Sequence, residues 1–104
     1  MKKYKVNFRP IAEADLMGLY DYIERETGAG IAAGYIDRIE EVCFALETFP
    51  ERGAPRDDIF PGLRILSFER RAVIAFQVGK SEVVIVRIFY GGQDYERALR
   101  PRAE

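Results

Sequence analysis

The sequence predicts an α+β domain in which an N-terminal strand and an antiparallel helical hairpin pack on one face of a mainly antiparallel sheet, in the order β-α-α-β-β-β. Three observations carry this expectation. Apolar and polar residues alternate over Lys3 to Arg9; two adjoining segments between Ile11 and Thr48 place apolar residues at helical spacing; and Gly62 to Asp94 gathers β-branched residues into three short apolar runs. A chain of 104 residues is a single domain, 1–104, by size alone.

Tyr4, Val6 and Phe8 alternate with Lys3, Lys5, Asn7 and Arg9, the period of a strand with one buried face. Pro10 ends it and suits the first turn of a helix, where its missing N–H costs nothing. The first helix is expected over Ile11 to Thr27, with Ala12, Leu16, Leu19, Tyr20 and Ile23 on one side and Glu13 and Asp15 at its positive end. Gly18 weakens this helix but allows close packing, which we expect against the second helix. The Gly28-Ala29-Gly30 link is short enough to force an antiparallel return. The second helix is expected over Ile31 to Thr48, with a broad stripe from Ala32 and Tyr35 to Leu46 and Phe49. Phe49 to Pro61 holds three of the five prolines and reads as an ordered, turn-rich crossing.

Three strands follow, Leu63 to Phe68, Ala72 to Val78 and Val83 to Phe89, the last two joined by a hairpin turn at Gly79 to Glu82. Strict alternation puts Ala72, Ile74, Phe76 and Val78 on one face with Val84, Val86 and Ile88. That face is apolar throughout, and the helices are expected to cover it. The opposite face carries Val73, Ala75 and Gln77 beside Val83, Ile85, Arg87 and Phe89. It is too apolar to stand bare and too polar for a closed core. Either a partner covers it or the C-terminal tail folds back over it.

Composition narrows the chemistry. There is no histidine, which removes the commonest general base and metal ligand together. The single cysteine, Cys43, sits among Val42, Phe44 and Leu46 and is expected to be a buried, inert thiol, with no disulfide and no metal site. No nucleotide-binding glycine motif is present, and no cofactor is expected. Asp57 and Asp58 read as loop-capping acids. Net charge is -1 but uneven: residues 1–49 hold six Lys and Arg against nine Asp and Glu, and residues 50–104 hold ten against eight. Nine of those ten are arginine, the cation suited to bidentate contacts at interfaces. The bias is too small to imply sequence-specific nucleic-acid binding by the chain alone. No segment resembles a signal peptide or a membrane span, so a cytoplasmic protein without membrane contact is expected. One catalytic option survives: an RNA-cleaving site built from arginine, lysine and tyrosine, of which Arg64, Arg70, Arg71, Arg87 and Tyr90 could supply part.

The stretches RPIAEADLMGLYDYIERETG, FPERGAPRDD followed by GLR, and RIFYGGQDYERAL give the chain a resemblance to the RelE/ParE superfamily of type II toxins, and within it to ParE. The resemblance implies a non-enzymatic toxin that poisons DNA gyrase by binding and is neutralised by a ParD-like antitoxin whose C-terminal segment wraps around it. A RelE-like, ribosome-dependent mRNA endonuclease and a non-toxic antitoxin-binding homologue are the alternatives. The antitoxin is expected on the second face, at Val73, Ile85, Arg87 and Phe89. Target contacts are expected at Arg56, Arg64, Arg70, Arg71, Tyr90 and Asp94, with no catalytic residue. Gly53, Pro55, Gly62, Leu63 and Gly91 match the family pattern as turn and strand-opening positions, and Arg56–Asp57, Arg56–Asp58 or Arg64–Asp94 pairs are possible internal staples. Many relatives carry a histidine and further arginines where this chain has FYGGQD.

Overall fold

Eight elements make up the computed structural model, which describes residues 3–101. Strand β1 (Lys5–Phe8) leads into α1 (Pro10–Thr27), with Pro10 at the first helical position. Gly28 alone separates α1 from α2 (Ala29–Ala45), so the hairpin is tighter than expected and α2 begins earlier. It also ends earlier. Leu46, Glu47 and Thr48 donate to carbonyls three residues back, which overwinds the chain and turns it out of the helix. Phe49, expected on the buried stripe, is left 57% exposed.

The sheet runs β1-β5-β4-β3-β2, where β2 is Ala54–Pro55, β3 Leu63–Phe68, β4 Ala72–Val78 and β5 Glu82–Tyr90. All neighbours are antiparallel except β1, which docks parallel on β5 with Lys5 opposite Glu82 and Phe8 opposite Ile85. The two-residue β2 was not foreseen. At Gly53, φ is 73°, and a side chain there would strike the Ile65 carbonyl, so only glycine lets the crossing lie against β3. A short helix, α3 (Tyr95–Leu99), closes the chain and was also unforeseen.

One irregularity reorganises both faces of the sheet. Opposite Ala75 and Phe76 of β4, strand β5 supplies Arg87 and Ile85, leaving Val86 as an extra residue in a β-bulge. The bulge shifts the alternation by one position. Before it, Val83 and Ile85 face the helices; after it, Ile88 does. Val84 and Val86, expected under the helices, join the opposite face with Phe89. Ile85, expected on the partner-facing side, is completely buried against the helical hairpin with Phe76, Ile74 and Leu19. The assignments on β4 and at Ile88 stand, because they lie on the side of the bulge where strict alternation holds.

The second face is not bare. Ile59 and Phe60 from the crossing, and Tyr95 and Leu99 from α3, pack over Leu63, Ile65, Ala75, Val86 and Phe89. Phe89 is 3% exposed. Of the two ways to cover this face, the chain thus uses its own tail. The principal core lies on the other side, where Cys43 is fully buried and burial pushes its thiol up to about 12. Gly18 does allow a close approach, but to β5: a side chain there would lie 2.5 Å from the Tyr90 hydroxyl. The Tyr90 side chain packs against α1, its ring 5.4 Å from that of Tyr22.

Candidate functional site

Among the described residues, the non-glycine residues with positive φ lie in the β3–β4 turn. Glu69 and Arg70 occupy its two central positions with φ of 44° and 60°, the left-handed geometry that normally selects asparagine and glycine. Each such residue costs roughly 1 to 2 kcal/mol, so the surrounding structure must hold the turn in place. Helix α2 does so. Arg38 forms a two-pronged bond with the Glu69 carboxylate at 2.8 and 2.9 Å, and the Tyr35 hydroxyl donates to the Phe68 carbonyl at 3.2 Å. The Tyr35 ring meets that of Phe68 edge-on. Burial first, and the Glu69 charge second, push the Tyr35 hydroxyl up to about 12, so it stays a donor. The Arg38 hydrogen bond in turn lowers the Glu69 carboxyl below its ordinary value.

With Glu69 tied back, Arg70 and Arg71 stand exposed beside a cleft of about 210 Å³. Val73, Phe89 and Tyr90 line its wall, and the Tyr90–Gln93 turn closes its end. Five of the residues singled out from the sequence meet here: Arg70, Arg71, Val73, Phe89 and Tyr90. Among the described residues neither arginine has an ion-pair partner. The cleft can offer two guanidinium groups over a small apolar wall, an arrangement suited to a carboxylate or phosphate on a larger partner.

The other arginines are engaged. Arg87 reaches Asp15 of α1 through Nε at 2.8 Å and Nη2 at 3.0 Å, and stacks 5.0 Å from the Phe89 ring centroid. The Asp15 carboxylate also accepts the Ile88 N–H at 2.9 Å, satisfying the β5 edge beyond the point where β1 ends. The Asp15 hydrogen bond holds Arg87 above its ordinary pKa. Arg56 pairs with Asp58 at 2.9 Å and with Glu96 of α3 at 2.7 Å, and Arg100 reaches Asp58 at 3.3 Å. Chiefly through the Arg56 hydrogen bond, Asp58 is lowered to about 2. The Arg56–Asp58 staple therefore forms, and it extends to the tail. The Arg64–Asp94 staple does not: Arg64 donates to the carbonyls of Arg52 and Gly53, while Asp94 caps α3 by accepting the Arg97 N–H. Asp57 accepts the Gly62 N–H, the loop-capping role expected of these acids.

Arg56, Arg64, Arg87 and Asp94 thus serve as internal fasteners, and Ile85 and Phe89 are buried too deeply to form an open docking face. Sequence reasoning missed Asp15, Glu69, Glu96 and Gln93. Asp15 and Glu69 are joined to their partners across 72 and 31 residues, and no local pattern reports such pairing.

A helical hairpin laid on this sheet is the architecture of the RelE/ParE class of toxins. The fold superposes on the RelBE2 toxin–antitoxin complex from Mycobacterium tuberculosis with a TM-score of 0.65 at 22% identity, covering 89% of this chain and 97% of that one. It also superposes on a structure of the chromosomal ParDE system of P. aeruginosa with a TM-score of 0.73 at 29% identity, covering 85% and 96%. Toxin ParE3 of Caulobacter vibrioides is 33% identical over 86 residues, 83% of this chain and 84% of that protein. The family model for the ParE toxin of the type II toxin–antitoxin system parDE matches residues 6–95. The chain belongs to the ParE toxin family.

Proposed function

We propose that this toxin acts by binding rather than catalysis, that its target is DNA gyrase, and that a ParD-like antitoxin neutralises it in the cytoplasm by masking the Arg70/Arg71 cleft. The observation that carries the reading is the division of labour among the arginines. The RNA-cleaving site that the sequence offers would draw Arg64, Arg70, Arg71, Arg87 and Tyr90 together around one phosphate. Here Arg64 is bound to carbonyls, Arg87 is neutralised by Asp15, and the Tyr90 hydroxyl lies against Gly18. Two cations on a clamped turn are left, which favours docking on an acidic macromolecular surface.

The test is expression without an antitoxin in a strain carrying a DNA-damage reporter. Growth arrest with reporter induction and continuing translation is expected. The double substitution Arg70→Gly/Arg71→Glu is expected to relieve the arrest while leaving the fold intact. Arrest of translation with mRNA cut inside ribosomes would refute the reading in favour of a RelE-like nuclease. Unhindered growth with soluble, folded protein would leave a non-toxic homologue.

A further inference from the structure

The β3–β4 turn does not hold its own shape. A left-handed pair of central residues sustains itself when the two are asparagine and glycine, but Glu69 and Arg70 both carry the Cβ penalty there. The bond that closes the turn, from the Arg71 N–H to the Phe68 carbonyl, is 3.2 Å long. That same carbonyl accepts the Tyr35 hydroxyl, also at 3.2 Å, and the Glu69 side chain beside it is held by both prongs of Arg38. Tyr35 and Arg38 stand three residues apart on one face of α2, with the Arg38 guanidinium 5.6 Å from the Tyr35 ring centroid. The geometry of the turn is therefore conditional on α2.

Relaxation of Glu69 and Arg70 to right-handed backbone would convert the turn to a type that splays its flanking strands. Arg70 and Arg71 would then leave the wall of Val73, Phe89 and Tyr90 that they now share. A target of the cleft meets only the fraction of molecules in which both arginines face that wall, so its apparent affinity falls with that fraction. The Arg38 and Glu69 side chains are 51% and 42% exposed, and such a pair adds little to the stability of a whole domain. What it can set is the balance between two shapes of one turn. We propose that Arg38 is a positioning residue for target binding: from α2, through Glu69, it holds the β3–β4 turn in the left-handed geometry that presents Arg70 and Arg71, without touching the target itself. The proposal rests on the reading that the cleft engages gyrase, and extends it from the two cations to the group that aims them.

The test is the inhibitory concentration of the purified toxin in gyrase supercoiling, with growth arrest on unopposed expression scored for the same variants. Arg38→Gln removes both prongs and should raise the inhibitory concentration about tenfold, while Tm moves by less than about 5 °C, as expected of an exposed pair. Arg38→Lys keeps one charged contact and should fall between the two. Two second-site changes separate aiming from contact. Arg38→Glu/Glu69→Arg rebuilds the pair with its partners exchanged, and Arg38→Gln/Glu69→Gly supplies a residue that takes the left-handed position without strain. Each should return potency to within about threefold of the original. Unchanged potency in Arg38→Gln would overturn the proposal. So would folded protein in which neither second-site change restores potency, because Arg38 would then be meeting the target directly. Arrest without gyrase inhibition would refute gyrase as the target, and the same order of variants in the arrest assay would still support the positioning role. A wild-type chain that neither inhibits gyrase nor arrests growth would overturn both.

Discussion

Asp15 sits where one carboxylate does three jobs, and its removal gives the sharpest energetic test of the fold. It accepts both prongs of Arg87 and the Ile88 N–H, and its side chain is only 12% exposed. Asp15→Ala leaves a guanidinium and a strand-edge N–H without their partner. Losing a partner from a fully buried pair costs about 3 to 5 kcal/mol, and hydrogen bonds to a charged group contribute about 1.5 to 3 kcal/mol. The Arg87 side chain is 25% exposed, so water recovers part of the loss. The expected destabilisation is therefore about 2 to 3 kcal/mol, or a fall in Tm of roughly 10 to 20 °C for a domain of this size. Urea denaturation measures it, with an unchanged m-value as the sign that the native fold is retained. The cycle with Arg87→Met should show about 1 to 2 kcal/mol of coupling, the double variant being less destabilised than the sum of the singles. A loss below about 0.5 kcal/mol, or strict additivity, would refute the view that Asp15 fastens α1 to β5.

Three further outcomes follow from the same geometry. Ile85→Glu and Phe89→Glu should each unfold the domain, since both bury a charge without a partner, whereas Val73→Glu, half-buried at the cleft, should cost about 1 kcal/mol; circular dichroism melts separate the cases. Arg70→Gly should raise stability by about 1 kcal/mol in denaturant titration by relieving its left-handed backbone, and should weaken the growth arrest at the same time. The Asp58 carboxyl, followed by NMR, should titrate near about 2, and Arg56→Gln should return it toward 3.8. Because its folded value is depressed, the pair's contribution to stability is complete above the unfolded value and is lost as pH falls from 3.8 through about 2.

Much of this fold is legible in the sequence, for identifiable reasons. The helices, β3, β4 and the hairpin between β4 and β5 follow from periodicity and turn residues that act locally. The Val86 bulge carries no glycine or other signal, and a single unpaired residue was enough to send Ile85 into the core and Val86 out of it. The left-handed Glu69–Arg70 turn was invisible for a related cause. Its sequence lacks the residues such turns prefer, and what holds it is Arg38, 31 positions away. The cleft was read in part. Val73 was singled out by the alternation of β4 and Arg70 and Arg71 as cations for a phosphate or a target, but nothing in the sequence placed the three beside one cleft. The roles of Arg87 and Arg64 turned on acceptors that only the folded chain brings near, Asp15 on α1 and the carbonyls of Arg52 and Gly53.

Gyrase is the proposed target of the two cations on the clamped turn. Supercoiling by purified gyrase, assayed with the toxin, with Arg70→Gly/Arg71→Glu, and with the toxin preincubated with its antitoxin, tests this assignment most directly. The toxin alone should block supercoiling and accumulate cleaved DNA, and the double substitution or the antitoxin should restore activity. Undiminished supercoiling in the presence of folded toxin, or inhibition that persists in the double variant, would contradict it.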